Sequence, residues 1–290
     1  MVNFENFYET VDPQDQYFDY CLWQYAPHCD TDNKFRSINL LIHSFATAGL
    51  DTDAVQLCHR IRSGLGINKT VWGVKQVDGQ LSWELYFYDY QRLERSTSLE
   101  KLLNILEPTV QCPLQFDAKK PYFMFSIDID NALLKRQRNL DEINIYIGNP
   151  STAVSSGICY SLTKKGLQMN NLYYFFDRQR HWQDIVAKTF CSAHLRLPDI
   201  VIDELLWPEL TDCQTIVVAN KKHNDGLYFS RIGVSSLILF LKRCGYPNRL
   251  IDFIETNSDR LDHLLYDVGI DYVMEGNSIT ILKSAYYGFF

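Results

Sequence analysis

Apolar residues recur at helical spacing in "NKFRSINLLIHSFATAGL", which predicts a helix stopped by Gly49. "DTDAVQLCHRIRSGLG" predicts a second helix, with Asp51 or Thr52 as N-cap and Gly64 near its end. The period then falls to two. "KTVWGVKQVDGQLSWELYFYDY" is a pair of alternating runs around Asp78-Gly79, the strongest short signal for a β-hairpin. A two-residue turn sets the register: Val77 faces Gln80, Lys75 faces Ser82, Val74 faces Trp83 and Gly73 faces Glu84. Opposed residues share a face. One face then carries Trp72, Val74, Trp83, Leu85 and Phe87, and the other Lys69, Lys75, Ser82, Glu84, Tyr86 and Tyr88.

The same alternation returns along the chain. "TSLEKLLNILEP" predicts a helix with a Thr97/Glu100 capping box. "YFMFSIDID" and "EINIYIG" form a second strand pair, and "GICYSLTKKGLQMNNLYYFFD" a third, preceded only by "NPSTAVSS". A helix over "RQRHWQDIVAKTFCSAHL" leads to a fourth pair, "CQTIVVANKKHNDGLYFSRI", turning at "KKHND". Residues from about 234 to 268 read as helical, and "GIDYVMEGNSITILKSAYYGFF" closes the series with a turn near Glu275-Gly276-Asn277. Five hairpins make ten antiparallel strands, with helices between most pairs. So many strands are best accommodated by a closed barrel, which removes the edges. The expected fold is α+β: a ten-stranded barrel of five hairpins ringed by helices, one domain over residues 1–290. Residues 1–33 are a wrapping arm, 34–64 outer helices and 65–290 the barrel.

Such a barrel explains Lys283. It stands among Ile279, Ile281, Leu282 and Ala285, where burying an unpaired ammonium is costly. With helices over the apolar face, Lys283 points into a polar, aromatic lumen.

Composition narrows the function classes. The chain is 46% hydrophobic and 22% charged, a globular balance. The net charge of -7 argues against a nucleic-acid partner. No apolar run has the length of a membrane span, and "MVNFENFYETVDPQDQ" lacks the basic start of a secretory signal. A cytoplasmic monomer is expected. The eight cysteines form no CxxC and read as reduced thiols. His28 and Cys29 are the only close His/Cys pair and predict no metal site. The 18 tyrosines are many, which suggests a cavity where rings meet polar groups.

The layout and the segments "YSLTKKGLQMNNLYYFF", "LSWELYFYDY" and "LKSAYYGFF" resemble the ABBA-type aromatic prenyltransferases. Similarity extends to bacterial soluble members and the cyanobactin peptide prenyltransferases, over roughly residues 65 to 290. The resemblance implies transfer of an allylic group of the dimethylallyl or geranyl type. The donor is the diphosphate, and the acceptor an electron-rich aromatic small molecule or a peptide side chain. It implies Lys75, Lys164, Lys222 and Lys283 as the diphosphate cradle. Tyr86, Tyr88, Tyr160, Tyr174, Tyr228 and Tyr287 would shield the allyl cation, and Glu84 would be the base. No cofactor is required, with Mg²⁺ as an option. Asp128 and Asp130 are possible oxygen ligands, or a strand end capping the helix that starts near Asn131. There is no DDxxD.

The pattern also departs from the family. "EINIYIG" carries no Lys or Arg, and "TVWGVKQ" has no glutamate, Glu84 being the substitute across from Gly73. Lys75 and Glu84 have an alternative reading as a structural cross-strand pair. Two other functions stay open: a non-catalytic ligand-binding barrel, and an enzyme using a different donor.

Overall fold

Asp78 and Gly79 both have positive φ, 48° and 74°, the conformation a tight two-residue hairpin turn demands. They join β1 (Thr70–Val77) to β2 (Gln80–Tyr88) in the expected register, with Val77 opposite Gln80 and Gly73 opposite Glu84. The computed structural model describes residues 3–19, 22–89, 97–107, 109–149, 154–196 and 200–290. Eight further strands follow: β3 (Met124–Ile129), β4 (Ile143–Asn149), β5 (Ser155–Thr163), β6 (Gly166–Asp177), β7 (Thr215–Lys221), β8 (Asp225–Ile232), β9 (Tyr266–Glu275) and β10 (Ser278–Phe289). Each pairs antiparallel with its neighbours in sequence, and β10 returns to β1 with Gly73 opposite Tyr287. The ten strands form a closed barrel.

Helices cover the outer face among the described residues: α1 (Ile38–Thr47), α2 (Asp53–Leu65), α3 (Leu99–Leu106), α4 (Asn131–Leu134), α5 (Trp182–Phe190), α6 (Val234–Arg243), α7 (Asn248–Thr256) and α8 (Ser258–Leu261). Their apolar sides meet the outward residues of the strands. Trp72, Val74, Trp83, Leu85 and Phe87 are all buried. Phe45 of α1 packs edge-on against Trp83 with ring centres 5.1 Å apart, and the Trp83 indole N–H donates to Ser44 Oγ at 2.8 Å. The belt of large rings gives the barrel its hydrophobic support outside, so the lumen is free to be polar.

Two boundaries differ from expectation for local reasons, and one agrees. Ser98, not Thr97, caps α3, accepting from the Lys101 N–H at 3.1 Å. The α2 helix ends as expected, at Leu65 one residue past Gly64, with Gly66 at φ 107° as its C-cap. The stretch expected to be helical to residue 268 breaks into α6, α7 and α8 and gives way to β9 at Tyr266.

The N-terminal arm is tied down by charge. Glu9 sits between Arg36 (2.9 Å) and Arg62 (2.6 Å). Burial pushes the Glu9 carboxyl up, and the hydrogen bonds from Arg62 and Arg36 outweigh it and hold it below the usual range. Asp15 pairs with Arg36 at 2.7 Å and Asp19 with Arg231 of β8 at 2.9 Å. Phe18 lies edge-on to Phe289, ring centres 5.8 Å apart. The arm thus lies against the barrel end remote from the hairpin turns.

Candidate active site

Alternation along closed strands puts every second side chain in the lumen. On β1 and β2 these are Gly73, Lys75, Glu84, Tyr86 and Tyr88, as the Asp78-Gly79 register requires. Asp128 of β3 lies beside Glu84. From the other side come Lys221 of β7, Tyr228 of β8, Asp271 of β9 and Lys283 of β10, the last opposite Asp271.

The charged groups form one chain near the hairpin-turn end. Lys75 Nζ lies 2.9 Å from Asp128 and 3.0 Å from Glu84. Lys283 Nζ lies 3.7 Å from Glu84 and 3.2 Å from Asp271. Lys221 Nζ lies 2.5 Å from Asp271 and donates to the Tyr228 hydroxyl at 2.8 Å. Tyr228 donates to Asp271 at 3.1 Å, and Tyr86 donates to Glu84. Three lysines thus face three carboxylates. The Asp128 side chain stays 51% exposed, so water reaches the network at its mouth.

Burial pushes the Glu84 carboxyl up, but Lys75 and Lys283 outweigh it and hold it far below the usual range. Burial likewise opposes, and Lys221 and Lys283 overcome, at Asp271, which is also held down. Lys283 loses by burial and gains more from Asp271 and Glu84, so its ammonium is strengthened. Lys221 goes the other way: burial lowers it despite Asp271.

Beneath this layer, five tyrosine rings run around the lumen. Ring centres are 5.9 Å apart for Tyr287 and Tyr86, 6.3 Å for Tyr86 and Tyr146, 6.0 Å for Tyr146 and Tyr173, and 6.2 Å for Tyr173 and Tyr228. Glycines make room for two of them. A Cβ on Gly73 would stand 2.6 Å from the Tyr287 ring, and one on Gly269 only 2.2 Å from the Tyr228 ring. Gly269→Ala should therefore unseat Tyr228 and cost about 1–3 kcal/mol by overpacking, read as a lower urea midpoint.

Of the residues expected at the site, Lys75, Lys283, Glu84, Tyr86, Tyr228 and Tyr287 come together. Tyr88 is in the lumen further along β2, opposite Met124. Four others lie elsewhere. Lys164 and Lys222 are exposed at hairpin turns. Tyr160 pairs with Ile145 on the outer face, next to a bulge at Cys159/Tyr160. Tyr174 also faces out, with Lys188 of α5 4.1 Å above its ring. Asp130 caps α4, accepting from Leu133 N–H at 2.8 Å, while Asp128 turns inward. Lys221, Asp271, Tyr146 and Tyr173 were missed. Val217 stands opposite Tyr228 and shares its face, and alternation from Val217 along β7 selects Lys221 over its neighbour.

The seven described cysteines carry no disulfide, Cys21 lying outside the described residues. Away from the lumen, ligand atoms of His28, Cys29 and Asp262 lie within 4.8 Å of one another. Lys34 Nζ already lies 2.5 Å from Asp262 Oδ1, so an ammonium serves that carboxylate. Among the described residues, no helix is long and apolar enough to cross a membrane.

A closed antiparallel barrel of ten strands, ringed by helices and lined by lysines and tyrosines, has the ABBA or prenyltransferase-barrel fold. The chain is similar in structure to AnaPT from Neosartorya fischeri, an ABBA-type aromatic prenyltransferase. The TM-score is 0.56 at 10% identity, over 88% of this chain and 92% of that one. At that identity the likeness is one of fold. In sequence, the chain is similar to the putative JmjC domain-containing protein L887 of Acanthamoeba polyphaga mimivirus, 23% identical over 273 residues. The match covers 77% of this chain and 42% of that protein, so the chain spans less than half of its relative's length. No protein-family model matches.

Proposed function

We propose that the lumen transfers an allylic group from its diphosphate to an electron-rich acceptor, an aromatic small molecule or a peptide side chain. The observation that carries this reading is the layering of three lysines directly against a belt of five tyrosines, inside a barrel of this fold. As the C–O bond of the donor ionises, Lys75, Lys221 and Lys283 neutralise the charge that gathers on the leaving diphosphate. The tyrosine faces shield the allyl cation, each worth about 0.5–2 kcal/mol by cation–π attraction. The diphosphate competes for lysines that carboxylates already hold, which sets a threshold on its affinity. Mg²⁺ accompanying the diphosphate would ease that competition by supplying positive charge, and the half-exposed Asp128 carboxylate is the kind of hard oxygen ligand it takes.

One observation favours a second reading. The three lysines and three carboxylates cancel formally, a charge balance suited to a barrel that binds a neutral or zwitterionic aromatic ligand without reaction. The name of the mimiviral relative belongs to a protein of which less than half aligns with this chain, and it lends weight to neither reading.

The test is incubation with a panel of allylic diphosphates and of indole and phenol acceptors, free and in peptides, with and without Mg²⁺. Products gaining one prenyl mass are expected, together with calorimetric binding of the donor. No binding of any diphosphate, with retained binding of neutral aromatics, selects the ligand-binding barrel.

A further inference from the structure

The strand β9 samples three levels of the lumen at alternate positions. Asp271 meets the lysines, Gly269 lies under the Tyr228 ring, and Asp267 stands opposite Tyr287 of the belt. Four residue steps of strand separate the two aspartates, about 13 Å along the chain. Asp267 faces the lumen between Ser230 and Tyr287, its partners across the two neighbouring strands. It also borders a cleft under the N-terminal arm, with Phe18, Asp19, Val71, Tyr287 and Phe289. The Arg231 backbone N–H donates to Asp267 at 2.9 Å, while the Arg231 guanidinium is taken by Asp19 at 2.9 Å. Among the described residues, Asp267 is thus a lumen carboxyl that makes no ion pair.

Alkylation of an aromatic ring or a heteroatom must release a proton. Glu84 and Asp271 are poor takers, because each is held ionised by two lysines. Resting on the transfer reading, we propose that Asp267 is the proton acceptor of the reaction, and that the acceptor substrate is held at the Tyr287 side of the belt, within reach of Asp267. The donor C–O bond breaks and its electron pair leaves with the diphosphate at the lysines. The acceptor's π or lone-pair electrons form the new bond to the allyl carbon. The proton displaced from that acceptor atom goes to the Asp267 carboxylate, and the electron pair of the broken bond stays with the acceptor. Asp267 then returns the proton to water through the cleft.

The groups around Asp267 suit this task. Burial raises its carboxyl to about 7, the Ser230 and Arg231 N–H hydrogen bonds oppose, and Asp19 adds to the rise while Arg231 subtracts. Tyr25 of the arm and Cys213 ahead of β7 also feel its charge. A base poised near working pH is the efficient choice for proton transfer.

The test is Asp267→Asn, which keeps size and the acceptor for Arg231 N–H, with Asp267→Glu as the conservative partner. Dimethylallyl and geranyl diphosphate are the donors, and indoles and phenols the acceptors. Donor Kd should match wild type in both variants. The turnover of Asp267→Asn should fall by about 100-fold or more, and the acid limb of the wild-type pH profile near 7 should vanish. Asp267→Glu should restore part of the rate. Wild-type turnover and pH profile in Asp267→Asn overturn the assignment of Asp267 alone. A wild-type protein that binds no donor, or binds it and alkylates none of the acceptors, overturns the transfer reading and the role of Asp267 with it.

Discussion

Lys283→Ala should lower stability and donor affinity together. A lone lysine in an apolar strand would be removed at little cost, and the strand sequence alone points to that outcome. The barrel corrects it, because Lys283 Nζ bridges Asp271 at 3.2 Å and Glu84 at 3.7 Å. Alanine leaves two buried carboxylates with one lysine each. Complete loss of a buried partner costs about 3–5 kcal/mol. Here Lys75 and Lys221 remain, and the Lys283 side chain is 23% exposed, so about 1–3 kcal/mol is expected. Melting should drop by several degrees in consequence. A diphosphate would lose a charge-assisted contact, and its Kd should rise by roughly tenfold or more. Thermal melts and calorimetric titration of donor measure the two. Lower stability with unchanged donor binding would make Lys283 a structural lysine and favour the ligand-binding barrel.

The second large effect is a pH dependence of stability with an unusual sign. Asp267 is raised from an ordinary 3.8 to about 7 by burial, so the folded protein holds a proton that the unfolded chain releases. The stability this contributes is complete below about 3.8 and is lost as pH rises to about 7. At one pKa unit per 1.36 kcal/mol, the loss is on the order of 4 kcal/mol. Asp267→Asn should remove this decline and be the more stable protein at pH 8, while near pH 4 the two should converge. Glu84 and Asp271 act in the opposite direction. Their lowered values make stability fall on acidification through the carboxylate range. Subtracting the urea stabilities of the two proteins across pH isolates Asp267, and a flat difference would show that its carboxyl titrates normally.

Much of the lumen was legible before any coordinates. The Asp78-Gly79 turn dictates a register because its two positive-φ residues leave no slack, and that register alone puts Lys75, Glu84, Tyr86 and Tyr88 inside and Trp72, Trp83 and Phe87 under helices. Where turns are looser, parity slips. The β7–β8 register sets Asn220 opposite Asp225, which brings in Lys221 and leaves Lys222 in solvent. The bulge at Cys159/Tyr160 leaves its extra residue, Asn170, on β6, so alternation counted along β6 through it assigns Tyr174 to the wrong face.

The sequence by itself determined the period-two strands, their pairing into hairpins, the two faces of the first hairpin and the inward aim of Lys283. Those are local properties, set by alternation and turn chemistry within about twenty residues. Tertiary structure alone decided that β1 meets β10 across more than two hundred residues, that each lysine finds a carboxylate, and that Tyr146 and Tyr173 complete the belt. It also decided that Asp267 lies apart from the three lysines while Asp271, on the same face of the same strand, lies among them. Such partnerships depend on distances across the lumen, which follow from barrel closure and strand tilt and leave no mark on the order of residues along any one strand.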